Sequence, residues 1–260
     1  MRIIALSGIL AFSMTAQTPA EPPPLVQLIR KPNISAAPVR PYAEARAAVN
    51  VIGMTAVTGM PETWLVEAHQ SFASIEELDK AAGAATAAGP ASGYAAGPNP
   101  EEVLPLGRTM IALYRPDWSY RPDQAVRLFP TARYFHISIY RIRPGTEAEF
   151  GELVKMRRLG MDRANLDRPD LAYQVISGAP SGTYVFLAPL ATFRALDDAL
   201  AKMPLYFEAV ATAGATDAKT TEAEISREHL LFRVEPRISY VSDDFAAADP
   251  GFWRGTPKEP

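Results

Sequence analysis

The chain has 260 residues, of which 48% are hydrophobic and 21% charged, with a formal net charge of −3. That balance excludes an intrinsically disordered chain and argues against a polyanion such as nucleic acid as partner. With no cysteine, disulfides, thiolate nucleophiles, cysteine metal ligands and lipidated cysteines are all excluded.

Met1-Arg2 followed by the apolar run Ile3 to Phe12 and then small polar residues predicts a secretory signal over residues 1–20, cut near Ala16 or Ala20. A periplasmic or secreted location follows from that reading. No other stretch approaches the roughly 18 apolar residues of a membrane helix, so no membrane association is expected after cleavage.

Beyond the proline run, Leu25 to Ile29 reads as a strand, and an alanine-rich helix is predicted from about Pro41 to Val51. A hairpin around Gly59-Met-Pro61 leads into the strand Trp64 to His69. Ser74-Ile-Glu-Glu77 has the spacing of a capping box ahead of a second helix. Residues 81–100, rich in alanine, glycine and proline, read as a loop or frayed helix end, and Thr109 to Tyr114 as a fourth strand.

Met110-Ile-Ala-Leu-Tyr-Arg-Pro-Asp-Trp-Ser-Tyr120 then returns as Leu230-Leu-Phe-Arg-Val-Glu-Pro-Arg-Ile-Ser-Tyr240, with proline, serine and tyrosine matched at a shift of 120 (236 − 116, 239 − 119, 240 − 120). Solenoid repeats run only about 20 to 50 residues, so this period marks a duplicated domain. The second copy shows the order of elements most plainly. Tyr134 to Arg143 alternates as a half-buried strand, Pro144-Gly145 ends it, and Thr146-Glu-Ala-Glu149 reads as a capping box opening an amphipathic helix. Strands Ala172 to Ser177 and Thr183 to Ala188 flank the turn-rich loop Gly178 to Gly182. Thr192 is placed to cap a helix through Leu200, residues 203–221 read as irregular, and His229 to Glu235 form the last strand.

This order, βαββαβ, is the ferredoxin-like unit. The predicted class is α+β, with two tandem units over residues 25–120 and 130–240, a tail over 241–260, and antiparallel sheets facing each other in an intramolecular barrel. A monomer is expected, because the barrel needs no second chain. In the tail, Phe245 or Trp253 is expected to dock, since large aromatics stranded in water waste apolar area.

The segment Ile137-Ser-Ile-Tyr-Arg-Ile-Arg-Pro-Gly-Thr-Glu-Ala-Glu-Phe150, with the hairpin and the Phe193 helix that follow, resembles the opening of the dimeric α/β-barrel superfamily. That group includes antibiotic-biosynthesis monooxygenase-like, NIPSNAP-type, muconolactone isomerase and haem-binding chlorite dismutase-like proteins, some of them uncharacterised exported bacterial proteins. The resemblance covers roughly residues 25–240 and implies a fold. It names no reaction.

For chemistry, the alternation sorts each strand into two faces. Phe135, Ile137, Ile139, Leu230, Phe232 and Val234 are expected to face the helices. His136, Ser138, Tyr140, His229, Arg233 and Glu235 would then point between the sheets, joined by Glu67 and His69 from the first copy. His136 would lie near Arg233 or Glu235, and Tyr140 near His229. His136 and His229 are the candidate catalytic residues and the others candidate ligand contacts, because imidazole titrates near neutrality and buried polar groups are costly unless used.

The expectation is a small organic molecule held between the sheets, with no metal and no required cofactor. Alternatives are a cofactor-independent monooxygenase or isomerase with a strand histidine as general base, a haem barrel with such a histidine as axial ligand, and a non-enzymatic structural or interaction module. Arg157-Arg158 and Glu76-Glu77 read as solvated helix faces, and Ser181 as part of a turn. Because the copies differ at these polar positions, any site should be single and asymmetric.

Overall fold

The computed structural model describes residues 21–32, 49–87, 107–214 and 223–255. The predicted signal segment, nearly all of the predicted helix from Pro41 and most of the irregular stretch up to residue 100 lie outside them. Among the described residues there are eight strands: β1 (Leu25–Pro32), β2 (Val51–Ala56), β3 (Glu62–His69), β4 (Arg108–Tyr114), β5 (Tyr134–Ile142), β6 (Leu171–Ser177), β7 (Thr183–Leu190) and β8 (Glu224–Val234). Helix α1 (Phe72–Ala87) belongs to the first copy, α2 (Pro122–Leu128) to the connection, α3 (Glu147–Arg163) and α4 (Arg194–Thr212) to the second, and α5 (Asp243–Ala246) and α6 (Pro250–Trp253) to the tail. Among the described residues no helix is long and apolar enough to cross a membrane.

Each copy has the ferredoxin-like order 4-1-3-2, and the two sheets join edge to edge in one closed barrel, β1-β3-β2-β8-β5-β7-β6-β4. Closure leaves no bare sheet edge. The repeated Pro-x-x-Ser-Tyr motif makes both seams. Pro116 opens a short 3-10 turn after β4, the Ser119 hydroxyl accepts from Ala172 N at 2.9 Å, and Tyr120 exchanges two backbone bonds with Asp170. Pro236 does the same after β8: Ser239 Oγ accepts from Gly53 N at 2.9 Å, and Tyr240 exchanges bonds with Val51. Each copy is thus fastened by its last strand and turn to the second strand of the other.

The barrel interior is an apolar core. Val26, Leu28, Met54, Trp64, Met110, Phe135, Ile137, Tyr173, Leu187 and Phe232 form one buried cluster, with Trp64 and Phe232 rings 5.1 Å apart. The expected docking of the tail is borne out. Trp253 is buried in the same cluster, its indole Nε1 donates to Pro130 O at 2.6 Å, and Phe245 and Phe252 pack on its ring.

Several local expectations fail. Thr146 and Phe193 stand at the N-caps of α3 and α4 without a side-chain cap bond, and Thr146 Oγ1 donates to Arg143 O instead. Helix α1 starts before Ser74, whose hydroxyl donates back to Ser71 O. Residues 203–212, expected to be irregular, are helical despite Pro204. Stripe packing against α3 outweighs the propensity penalty there. The hairpin loop is as expected: Gly178 (φ 83°) and Gly182 (φ 77°) take left-handed conformations, and a Cβ on Gly178 would fall 1.9 Å from Thr109 O.

Candidate functional site

The predicted faces are inverted. Phe135, Ile137, Phe232 and Val234 belong to the barrel interior, and the space between the sheets is filled by them. His136, Ser138, Tyr140 and His229 lie on the outer face, roofed by α3 and α4 around a cavity of about 300 Å³. The reason is chemical. A closed interior offers no polar partners, whereas the helices and the loop after α3 bring arginines and aromatics over the outer face. Sequence alternation separates the two faces of a strand but does not say which layer each one meets.

The β5–β8 register sets Ser138 opposite His229, His136 opposite Leu231 and Tyr140 opposite Arg227. The two imidazoles stack 5.4 Å apart at 20°, with the Tyr140 ring edge-on to His229 at 6.2 Å. The expected closeness of Tyr140 and His229 is therefore found. His136 is not beside Arg233 or Glu235. Arg233 is opposite Tyr134 and exposed, and Glu235 accepts from Thr55 Oγ1 at 3.1 Å on the far side of β8.

Glu67 and His69 are buried on β3, two positions from β8 and three from β5 in the barrel order. His69 Nε2 is 3.5 Å from Glu67 Oε2 and its Nδ1 is 3.1 Å from Ser74 Oγ. The two predicted polar groups thus form separate clusters, one per copy.

Five charged residues outside the predicted set complete the second-copy cluster. Arg157, expected to be solvated, turns inward from α3 and pairs with buried Asp170, which also accepts from Tyr120 N at 3.2 Å. Its spacing gave the signal: Phe150, Val154, Arg157 and Met161 follow the 4, 3, 4 rhythm of one helix face. Arg227 lies two residues before His229 on the same strand face and meets Glu224 Oε2 at 3.2 Å. Arg168 arrives by a turn: Asn165, left-handed at φ 45°, ends α3, and Arg168 Nη2 reaches His136 Nδ1 at 3.0 Å.

That last bond fixes a tautomer. Guanidinium can only donate, so His136 Nδ1 accepts and the ring proton sits on Nε2. Burial, then Arg168, then His229 and Arg157 hold the His136 pKa down to about 3. His229, whose Nδ1 is 2.9 Å from Ser138 Oγ, is lowered by burial and then by Arg227, Arg168 and Arg157. Both rings are neutral near pH 7. The one lone pair of His136 is taken by Arg168, whereas neither nitrogen of His229 has an arginine bond among the contacts described, so His229 is the better placed of the two to accept a proton.

Three guanidiniums around the cavity therefore face two carboxylates, Asp170 and Glu224. Among the described residues Arg168 has no carboxylate within ion-pair distance. Its Nε, like Nη1 of Arg157, is buried without a hydrogen-bond partner. Burial pulls the Arg168 pKa below its usual value, with the Arg157 charge adding to the effect. Buried N–H groups left without an acceptor on a half-buried cation are costly. A bound anion would supply the missing acceptor.

His136 is poorly set to hold a metal or haem. No three His, Asp or Glu side chains come together as a metal set among the described residues. A metal-bound histidine normally donates from its second nitrogen to an acceptor, whereas His136 faces an arginine donor there.

No family model matches the chain and no curated protein matches it. Solved structures similar to it include a candidate monooxygenase of Fusobacterium nucleatum, at 10% identity and TM-score 0.47, covering 81% of this chain and 91% of that one. A haem-binding protein of Thermus thermophilus is similar at 10% identity and TM-score 0.41, covering 81% and 90%. A chlorite dismutase variant of Candidatus Nitrospira defluvii, solved with cyanide, is similar at 9% identity and TM-score 0.43, covering 83% and 92%.

Proposed function

We propose that this protein binds a small organic anion, a carboxylate or phenolate, in the pocket between the second-copy sheet and its two helices. The observation that carries the reading is Arg168: a half-buried side chain with no carboxylate within ion-pair distance among the described residues, bonded to a neutral histidine, with a buried Nε–H left unused. Arg157 offers a second unused N–H from Nη1, and Nε2–H of His136 is a third donor group of the cluster. Tyr140, Phe186, Tyr206 and Phe207 supply apolar walls for a flat body. Such a site holds charge by preformed donors and selects shape by its rings.

Calorimetric titration with benzoate and its neutral isostere benzamide tests this. A charge-assisted hydrogen bond contributes about 1.5–3 kcal/mol. Benzoate is therefore expected to bind at least about tenfold more tightly than benzamide, and Arg168→Gln to abolish the difference. Equal affinity for the two ligands, or a preference that survives Arg168→Gln, would overturn the reading.

A further inference from the structure

The arginine-lined cavity does not end at the imidazoles. On the other side of His136 and His229 a second cavity of about 380 Å³ opens, sharing both histidines, Arg168 and Met203 with the first. Its remaining wall is almost wholly apolar: Leu196, Ala199 and Leu200 of α4, and Leu231 of β8.

One stripe of α4 spans both spaces. Tyr206 and Phe207 stand over the arginines, Met203 over the histidines, and Leu200, Ala199 and Leu196 follow at helical spacing. At 1.5 Å per residue, positions 196 to 206 extend about 15 Å. Beneath them the outer face of β8 changes in step, from Arg227 through His229 to Leu231.

Charge at one end and hydrocarbon at the other describe one kind of occupant. Resting on the anion reading above, we infer that the ligand is an amphiphilic acid. Its anionic group lies between Arg157 and Arg168, and its aliphatic chain crosses the stacked imidazoles into the leucine annex. Leu200, 68% exposed, is the residue such a chain would cover.

The experiment is calorimetric titration of the full chain with butanoate, hexanoate, octanoate and decanoate, with decanol as the uncharged control. Burial of a methylene contributes about 0.8 kcal/mol, close to a fourfold gain in affinity. Wild type is expected to gain about threefold to fourfold per methylene beyond hexanoate. Leu200→Gln, at an exposed position that leaves the fold intact, is expected to cut that gain below about twofold while butanoate affinity stays unchanged. Leu200→Met is expected to restore it.

A wild-type affinity indifferent to chain length, or a gain that persists in Leu200→Gln, overturns the annex and leaves the anion site standing if butanoate still depends on Arg168. Decanol binding as tightly as decanoate overturns the anion reading and leaves the annex. Failure of every acid to bind overturns both.

Discussion

The two copies are joined alike and decorated differently. Both seams use the same parts: a proline turn, a serine hydroxyl accepting from a backbone N–H of the other copy, and a tyrosine exchanging two backbone bonds with it. At the position Tyr240 meets in the first copy stands Val51. At the one Tyr120 meets in the second stands Asp170. That one carboxylate anchors Arg157, and through the helix it steadies, the arginine cavity. Where β5 carries His136, β1 by the same register carries Gln27: Ser138 lies opposite His229, and Ile29 opposite Thr109, the residue matched to His229. Backbone joinery was retained in both copies, while outer-face chemistry was free to change in one.

The sharpest way to break this comparison is to strip the charge from the second copy. Arg157→Met leaves the Asp170 carboxylate buried and unpaired, and should cost about 3–5 kcal/mol of unfolding free energy in urea. Adding Asp170→Val, the residue of the first copy, should recover most of the loss. Failure to recover would show that Asp170 serves the seam more than the pair.

A second contrast concerns the seams themselves. At Gly53 an added Cβ would meet Ile238 O at 2.5 Å, while the matched position of the second copy already carries Ala172. Gly53→Ala should therefore destabilise by about 1–3 kcal/mol through overpacking. Ala172→Gly should cost less than that in the same assay.

The third contrast is in pH. The His136 pKa is lowered in the fold, so the neutral ring is favoured there. Stability contributed by it is present above the ordinary histidine value near 6.5 and is lost as pH falls towards about 3. Across that window the unfolding free energy should fall by up to about 1.4 kcal/mol per pH unit for this one group. His136→Gln, the first-copy residue, should flatten the slope between pH 4 and 6, and an unchanged slope would assign the effect elsewhere.

Much of the fold was legible because it is written in backbone logic. The doubled Pro-x-x-Ser-Tyr, Pro144-Gly145 and the glycine pair of the hairpin each mark a place where the chain must turn, and the structure turns there. The site was half legible. His136, Ser138, Tyr140 and His229 were grouped correctly, because antiparallel register follows from topology. Their direction was not, since in a closed barrel both faces of the second sheet are covered and hydrophobicity ranks the faces without naming their neighbours. Arg168 and Asp170 escaped because a loop residue and a strand's first contact carry no periodicity. Only the left-handed Asn165 turn brings Arg168 over the strand.

The reciprocal seams have a consequence for how such a chain can evolve. Two separate identical chains making this barrel would carry any substitution twice, so an uncompensated arginine would appear on both outer faces with its cost doubled. Tethering the halves replaces a bimolecular encounter with a high effective concentration, so assembly tolerates a half that has drifted from its twin. Fusion thus turns an obligatory twofold symmetry into an option, and an arginine-lined cavity on one half is what a protein can build once that constraint is lifted.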